Sequence, residues 1–175
     1  HLTTRRQRQM CIRDSGGDKD SFEKAKPILQ GMGKNIVHCG SGGLGQATKI
    51  CNNMLAGINA LAAAEAMTMG ERLGVPPDTL YKVISTSTGR SYIFETSNPM
   101  PDVCSTSPAN NKFKPGFMAK LMLKDLRLSQ AAAQDAKTST PLGAAATAAF
   151  QQLIDSGFGD LDTSSIIKVI KPGSK

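Results

Sequence analysis

Apolar residues fall at helical spacing along most of this chain. Phe22, Ala25, Ile28, Leu29 and Met32 predict a first helix, with Asp18 as its cap and Gly33 as its stop. Gly16-Gly17 breaks the chain before it, and Asn35-Ile36-Val37-His38-Cys39 reads as a short strand after it. From Leu44 the pattern changes. Leu44 to Leu73 has no proline, holds Gly57 inside it, and is rich in Ala, Met, Leu and Ile; as one helix it would run about 45 Å. The stretch from Ala60 to Ala66 is small-sided nearly all round, which lets neighbouring helices approach closely and predicts a central position.

Gly74-Val75-Pro76-Pro77 ends that helix and opens another over 78–85. Gly89 to Pro115 is a Ser/Pro/Asn-rich connection with a short helical turn expected near 92–96; connections of this length are more often functional or mobile than plain linkers. Residues 118–137 predict a further helix with Leu121, Leu128, Ala131 and Ala132 on its inner face. Thr140 caps a helix that starts with Pro141 and stops before Gly157, and 162–170 make a last short helix. The expectation is a mainly α chain: a helical domain over 42–175, preceded by an α/β remnant over 16–41.

Composition sharpens this. The 175 residues carry 21 basic and 14 acidic side chains, a formal +7, which invites a nucleic-acid or phosphate-ligand reading. Residues 1–15 hold Arg5, Arg6, Arg8 and Arg13 against Asp14, a net +3, so the remaining 160 residues carry only +4. No helix-turn-helix, zinc-finger or aromatic-basic platform accompanies the charge, and nucleic acid is not an expected partner. No run of 18 apolar residues occurs, so no membrane-spanning helix is expected. Cys11, Cys39, Cys51 and Cys104 are scattered without a CxxC pair, and His1 and His38 are the whole histidine supply. The thiols are expected to be reduced, and no metal site is expected.

Gly40-Ser41-Gly42-Gly43-Leu44-Gly45 matches GxGxxG between a strand and a helix, the context of a dinucleotide fingerprint. The match is rejected because such a unit needs a short helix, a second strand and a closing acidic residue within about 30 residues, and here the helix alone uses them. Lys49 and Asn53 are better candidates. Four residues apart, they share one helix face. A lysine near a helix N-terminus is disfavoured by the dipole, and partial burial would favour its neutral form, so it can exchange protons with a substrate. An asparagine one turn on can hydrogen-bond the same substrate oxygen. Spacing alone favours the plainer alternative, a solvated lysine beside a surface asparagine. Lys124-Asp125, set among Met118, Leu121, Met122 and Leu126, is a second polar pair, and spacing alone fits an exposed charged pair there. Lys168, Lys171 and Lys175 read as a solvated end.

At these residues the chain resembles the β-hydroxyacid dehydrogenases, and within them the 3-hydroxyisobutyrate dehydrogenase branch. The resemblance runs from Gly16 to about Lys171. It is carried by GSGGLGQATKICNNM, AEAM (64–67), STG-R (87–90), NP-P (98–101), PANN (108–111) and LKDL (123–126), in that order. The related 6-phosphogluconate dehydrogenases place His-Asn where Asn52-Asn53 stands, which argues against that branch. The resemblance implies an all-helical, 6-phosphogluconate-dehydrogenase-like C-terminal domain following a Rossmann domain. It implies NAD as cofactor and reversible oxidation of 3-hydroxyisobutyrate to methylmalonate semialdehyde in valine breakdown. It implies a homo-oligomer, located in the mitochondrial matrix, or in the cytoplasm if the source is bacterial. The catalytic lysine falls on Lys49, the substrate-orienting asparagine on Asn53, and the cofactor-reaching lysine on Lys124. Phe117 and Asp125 match positions that close the substrate pocket.

Two departures qualify it. The family's own GxGxxG unit and its Ser-Gly-Gly substrate loop are absent, and RRQRQMCIRDS stands where an apolar strand is expected, so residues 1–15 read as foreign leader. The expectation is a fragment with the catalytic lysine and without the cofactor domain, inactive alone. Competing readings are a sibling glyoxylate, succinic semialdehyde or tartronate semialdehyde reductase, separable by a substrate panel, and a non-catalytic helical dimerisation domain, whose association would ignore Lys49→Ala.

Overall fold

The computed structural model describes residues 14–31, 33 and 35–173. The chain divides into two compact units, 1–52 and 53–175. The division falls inside the long helix.

In the first unit, strand β1 (Asp14–Ser15) pairs in parallel with β2 (Val37–His38), with Asp14 opposite Val37 and Ser15 opposite His38. Parallel partners need a crossover, and helix α1 (Lys19–Gln30) supplies it. Asp14 and Ser15, expected to close a foreign leader, thus stand in strand register; residues 1–13 lie outside the described residues. The Asp18 carboxylate caps α1 by accepting from the Ser21 amide at 3.0 Å, and these hydrogen bonds hold its carboxyl below the usual range. The helix ends at Gln30 with Gly31 as its cap, earlier than the expected Gly33 stop, and it runs through Pro27. Phe22 is its buried anchor, tilted against the His38 ring at 4.8 Å, while Ile28 is exposed despite its place in the apolar pattern.

Helix α2 (Leu44–Arg72) is the long helix, unbroken as expected. In the second unit its buried stripe is Ala60, Ala63, Ala64 and Met67. Ala62 and Glu65 are exposed, so the helix is central along one stripe and not all round. Two of its glycines mark close approaches: a β-carbon on Gly57 would lie 2.9 Å from Leu126, and one on Gly70 would meet Leu80. Helices α3 (Pro77–Ser85), α4 (Tyr92–Thr96), α5 (Ala119–Asp135), α6 (Pro141–Asp155) and α7 (Ile167–Ile170) follow. Short 3-10 turns stand at Pro108–Asn111 and Thr163–Ile166. The core is aliphatic and Met-rich, with Phe94, Phe113 and Phe150 buried in it. Among the described residues no helix is long and apolar enough to cross a membrane.

Three expectations need correction. The inner face of α5 is Ala119, Met122, Leu123, Leu126 and Ser129; Leu121, Leu128 and Ala131 are exposed and Ala132 is half-buried. The helix has two apolar rows, and the row that closes on α2 at Gly57 is the one containing Leu126. Thr140 stands at the N-cap of α6 as expected, but its side chain makes no capping bond; its hydroxyl donates to Gln130 at 3.3 Å. The basic end is not simply solvated: Lys171 pairs with Glu71 at 2.5 Å, and Lys168 lies 5.2 Å from the Phe113 ring and 5.3 Å from that of Phe158.

The 89–115 connection is built into the core. Asn98 is fully buried; its amide donates to the Phe94 carbonyl and its oxygen accepts from the Met100 amide, while Ser107 donates to the Asn98 carbonyl. Asn110 accepts from the Asp102 amide and donates to the Cys104 carbonyl. Side-chain amides here replace the backbone pairing that a helix would provide. The NP-P and PANN residues thus give this irregular stretch a defined course.

Candidate functional site

Asn53 and Asp125, 72 residues apart, meet in the interior of the second unit. The Asn53 amide donates to Asp125 Oδ2 at 2.7 Å, and both residues are 7% exposed. The other carboxylate oxygen, Oδ1, accepts from Lys124 Nζ at 2.7 Å. The close approach of α2 and α5 at Gly57 and Leu126 brings the two polar groups together. A carboxylate only accepts, so Asn53 must turn its NH2 toward Asp125, which fixes which way the amide faces. Lys124 reaches this pair from outside, with its side chain 58% exposed.

The Lys124-Asp125 pair is therefore half as the spacing suggested. Its lysine is a surface cation, but its aspartate is buried and committed to an asparagine from another helix. Lys49 lies one turn before Asn53 along α2, with its side chain exposed. Phe117 is half-buried and packs against the core. Its backbone amide donates to the Asp162 carboxylate at 3.0 Å. The structure thus joins Asn53, Lys124 and Asp125 and places Phe117 in a second cluster.

Asp162 was legible only as the start of the last short helix. It does cap that turn, accepting from the Ser164 amide at 3.0 Å. Its second function, holding the amides of Gly116 and Phe117, depends on partners 46 and 45 residues away, for which no local signal exists. A third polar cluster surrounds Tyr81, whose hydroxyl donates to the Glu95 carbonyl at 2.8 Å. Burial, and then the neighbouring Cys104, push the Tyr81 hydroxyl up from its ordinary value. Cys104 donates to the same carbonyl, and this cluster reads as a packed joint between α3 and α4.

The Gly40–Gly45 turn is followed by the 29 residues of α2, and among the described residues no strand follows it, so the fingerprint reading stays rejected. No group of three or more metal-ligating side chains is found among the described residues.

Residues 43–170 match the family model described as NAD-binding of NADP-dependent 3-hydroxyisobutyrate dehydrogenase. The chain is 40% identical over 157 residues to the NAD-dependent L-serine dehydrogenase of Pseudomonas aeruginosa, covering 90% of this chain and 53% of that protein. It is 40% identical over 156 residues to the human mitochondrial 3-hydroxyisobutyrate dehydrogenase, covering 89% of this chain and 46% of that protein. Among solved structures, the Mycobacterium tuberculosis 3-hydroxyisobutyrate dehydrogenase with L-serine superposes with a TM-score of 0.84 at 40% identity, covering 89% of this chain and 53% of that one. The chain spans about half the length of the curated relatives it matches.

Proposed function

The chain belongs to the family of NAD-binding domains of NADP-dependent 3-hydroxyisobutyrate dehydrogenases, and from that premise we propose that it supplies the helical half of an NAD-dependent 3-hydroxyisobutyrate dehydrogenase. In this reading residues 16–41 belong to a Rossmann domain and 42–175 form a 6-phosphogluconate-dehydrogenase-like helical domain. The observation that carries the proposal is the Asn53–Asp125 bond at 2.7 Å, which gives a fixed direction to the amide that is proposed to orient the substrate. An amide free to flip would offer either an acceptor or a donor, and so would not select one orientation of a hydroxyl.

The roles follow from the chemistry of alcohol oxidation. NAD, when bound, would supply the acceptor for the hydride of the hydroxymethyl carbon. Lys49 takes the hydroxyl proton, leaving an aldehyde, and returns it in the reverse direction. Asn53 holds the oxygen in line, a positional contribution. Asp125 keeps Asn53 turned, and Phe117 bounds the pocket. The described residues offer the dinucleotide an edge and not a cradle: Lys124 presents a cation fit for its anionic part, while the glycine turn lacks the strand that would complete a phosphate site.

A second reading has specific support. The Pseudomonas relative is named for L-serine, and the mycobacterial structure contains it. L-serine and 3-hydroxyisobutyrate are both short 3-hydroxy acids with the same hydroxymethyl and carboxylate, differing in an ammonium or a methyl between them. Steady-state kinetics of the full-length gene product with NAD test both. The proposal expects kcat/KM for 3-hydroxyisobutyrate to exceed that for L-serine by about ten-fold or more. A reversed preference selects the serine reading, and no turnover with either acid contradicts the dehydrogenase proposal.

A further inference from the structure

Segments 113–120 and 158–164 are laced together by backbone hydrogen bonds. The Asp162 amide donates to the Phe113 carbonyl at 2.9 Å, the Thr163 amide to Phe117 at 2.9 Å, and the Ala119 amide to Leu161 at 2.8 Å. Met118 and Asp162 form an antiparallel bridge. At the centre is the Asp162 side chain, 3% exposed. Its Oδ2 accepts from the amides of Gly116 at 2.9 Å and Phe117 at 3.0 Å, and its Oδ1 accepts from the amide and hydroxyl of Ser164 at 3.0 and 2.8 Å.

The held segment starts from an unfavourable backbone. Lys112 and Phe113 have φ of 48° and 57°, two consecutive residues in the left-handed region, where a side chain is sterically penalised. Such conformations persist only where surroundings over-determine them. Here the Phe113 carbonyl is taken by the Asp162 amide and its ring lies beside Lys168. Backbone strain at 112–113 and a buried carboxylate at 162 are thus two sides of one device, and the chain between them carries Phe117.

We propose that Asp162 is a positioning residue for Phe117, and through it for the side of the site that receives the substrate. This rests on the reading of Phe117 as a pocket residue. Asp162 touches no reacting atom; it acts by fixing the backbone of 116–117. A carboxylate is required because two oxygens must accept from two sets of donors. Serine keeps one acceptor for the Ser164 amide and loses the grip on Gly116 and Phe117. Asparagine keeps the shape but offers one accepting oxygen.

Two measurements test this together. Amide exchange of the 175-residue chain and its Asp162→Ser variant should show protection of the Gly116 and Phe117 amides falling by about ten-fold or more, with Ser164 changed far less. Where Asp162→Ser does not fold, Asp162→Asn takes its place. Kinetics of the full-length enzyme form the second arm, as a cycle of Asp162→Ser, Phe117→Ala and the double variant. Asp162→Ser should raise KM for the hydroxy acid by about ten-fold with kcat within about three-fold, and add less than about two-fold to KM once Phe117 is alanine. Unchanged exchange at Gly116 and Phe117, or KM effects that multiply fully in the double variant, overturn the proposal. A parent without turnover on any hydroxy acid contradicts the functional reading instead, and the exchange result then decides on the clamp by itself.

Discussion

Among the described residues, Asp125 and Asp162 are buried and are held in opposite ways. Asp125 is satisfied by side chains, the Asn53 amide and the Lys124 ammonium. Asp162 is satisfied mostly by backbone, the amides of Gly116, Phe117 and Ser164. Backbone donors cannot turn away without moving the chain, whereas side-chain donors can re-aim by a rotamer change. One arrangement suits a group that must stay still under a loop. The other suits a site in which lysine and asparagine can also serve a ligand. Burial alone, 3% against 7%, does not separate the two; the nature of the donors does.

The comparison is broken most easily at Asp162. Asp162→Ala leaves three amides in a buried or half-buried place without their acceptor, and should lower unfolding free energy by about 3–5 kcal/mol. Urea melts check this, and a loss under about 1 kcal/mol would contradict a backbone clamp. Asp125→Ala should cost less, about 1–3 kcal/mol, since Lys124 can return to water and only Asn53 loses a buried acceptor. Lys124→Ala should cost less still, below about 1 kcal/mol, because its side chain is 58% exposed. That small loss should shrink further in high salt, which the same melts can follow.

A third aspartate sharpens the contrast. Asp18 is backbone-held like Asp162 but exposed, and its carboxyl titrates below the ordinary value because of the Ser21 bonds. A depressed folded value means that its support for α1 is complete above the unfolded value, about 3.9, and is lost as pH falls through the lower folded one. Helical signal from α1 should therefore hold at pH 5 and decline only in acid, and Asp18→Asn should remove that dependence. A decline centred well above about pH 4 would contradict the cap.

Much of this was legible in the chain. The long helix, the 92–96 turn, the proline-led start of α6 and the short final helix follow from periodicity and from Pro and Gly positions that act locally. Lys124-Asp125 was legible as a pair but not as a half-buried one, because the burial of Asp125 is set by Asn53 across 72 residues. The inner face of α5 was misassigned because Leu121 and Leu128 satisfy the helical period as well as Leu126 does, and only docking chooses between rows. Asp162 was legible as the start of the last short helix and not as a clamp, since two of its donors lie on a distant loop. In each case, what the pattern missed is a side chain whose partner is remote in sequence.

The central claim is that Lys49 carries the proton step while Asn53, turned by Asp125, only orients. The direct test is kcat and KM of the full-length enzyme and its Lys49→Ala variant with NAD and 3-hydroxyisobutyrate. The account predicts a kcat loss of about 100-fold to 10,000-fold with KM within a few-fold; a variant that keeps the parent's kcat would contradict it.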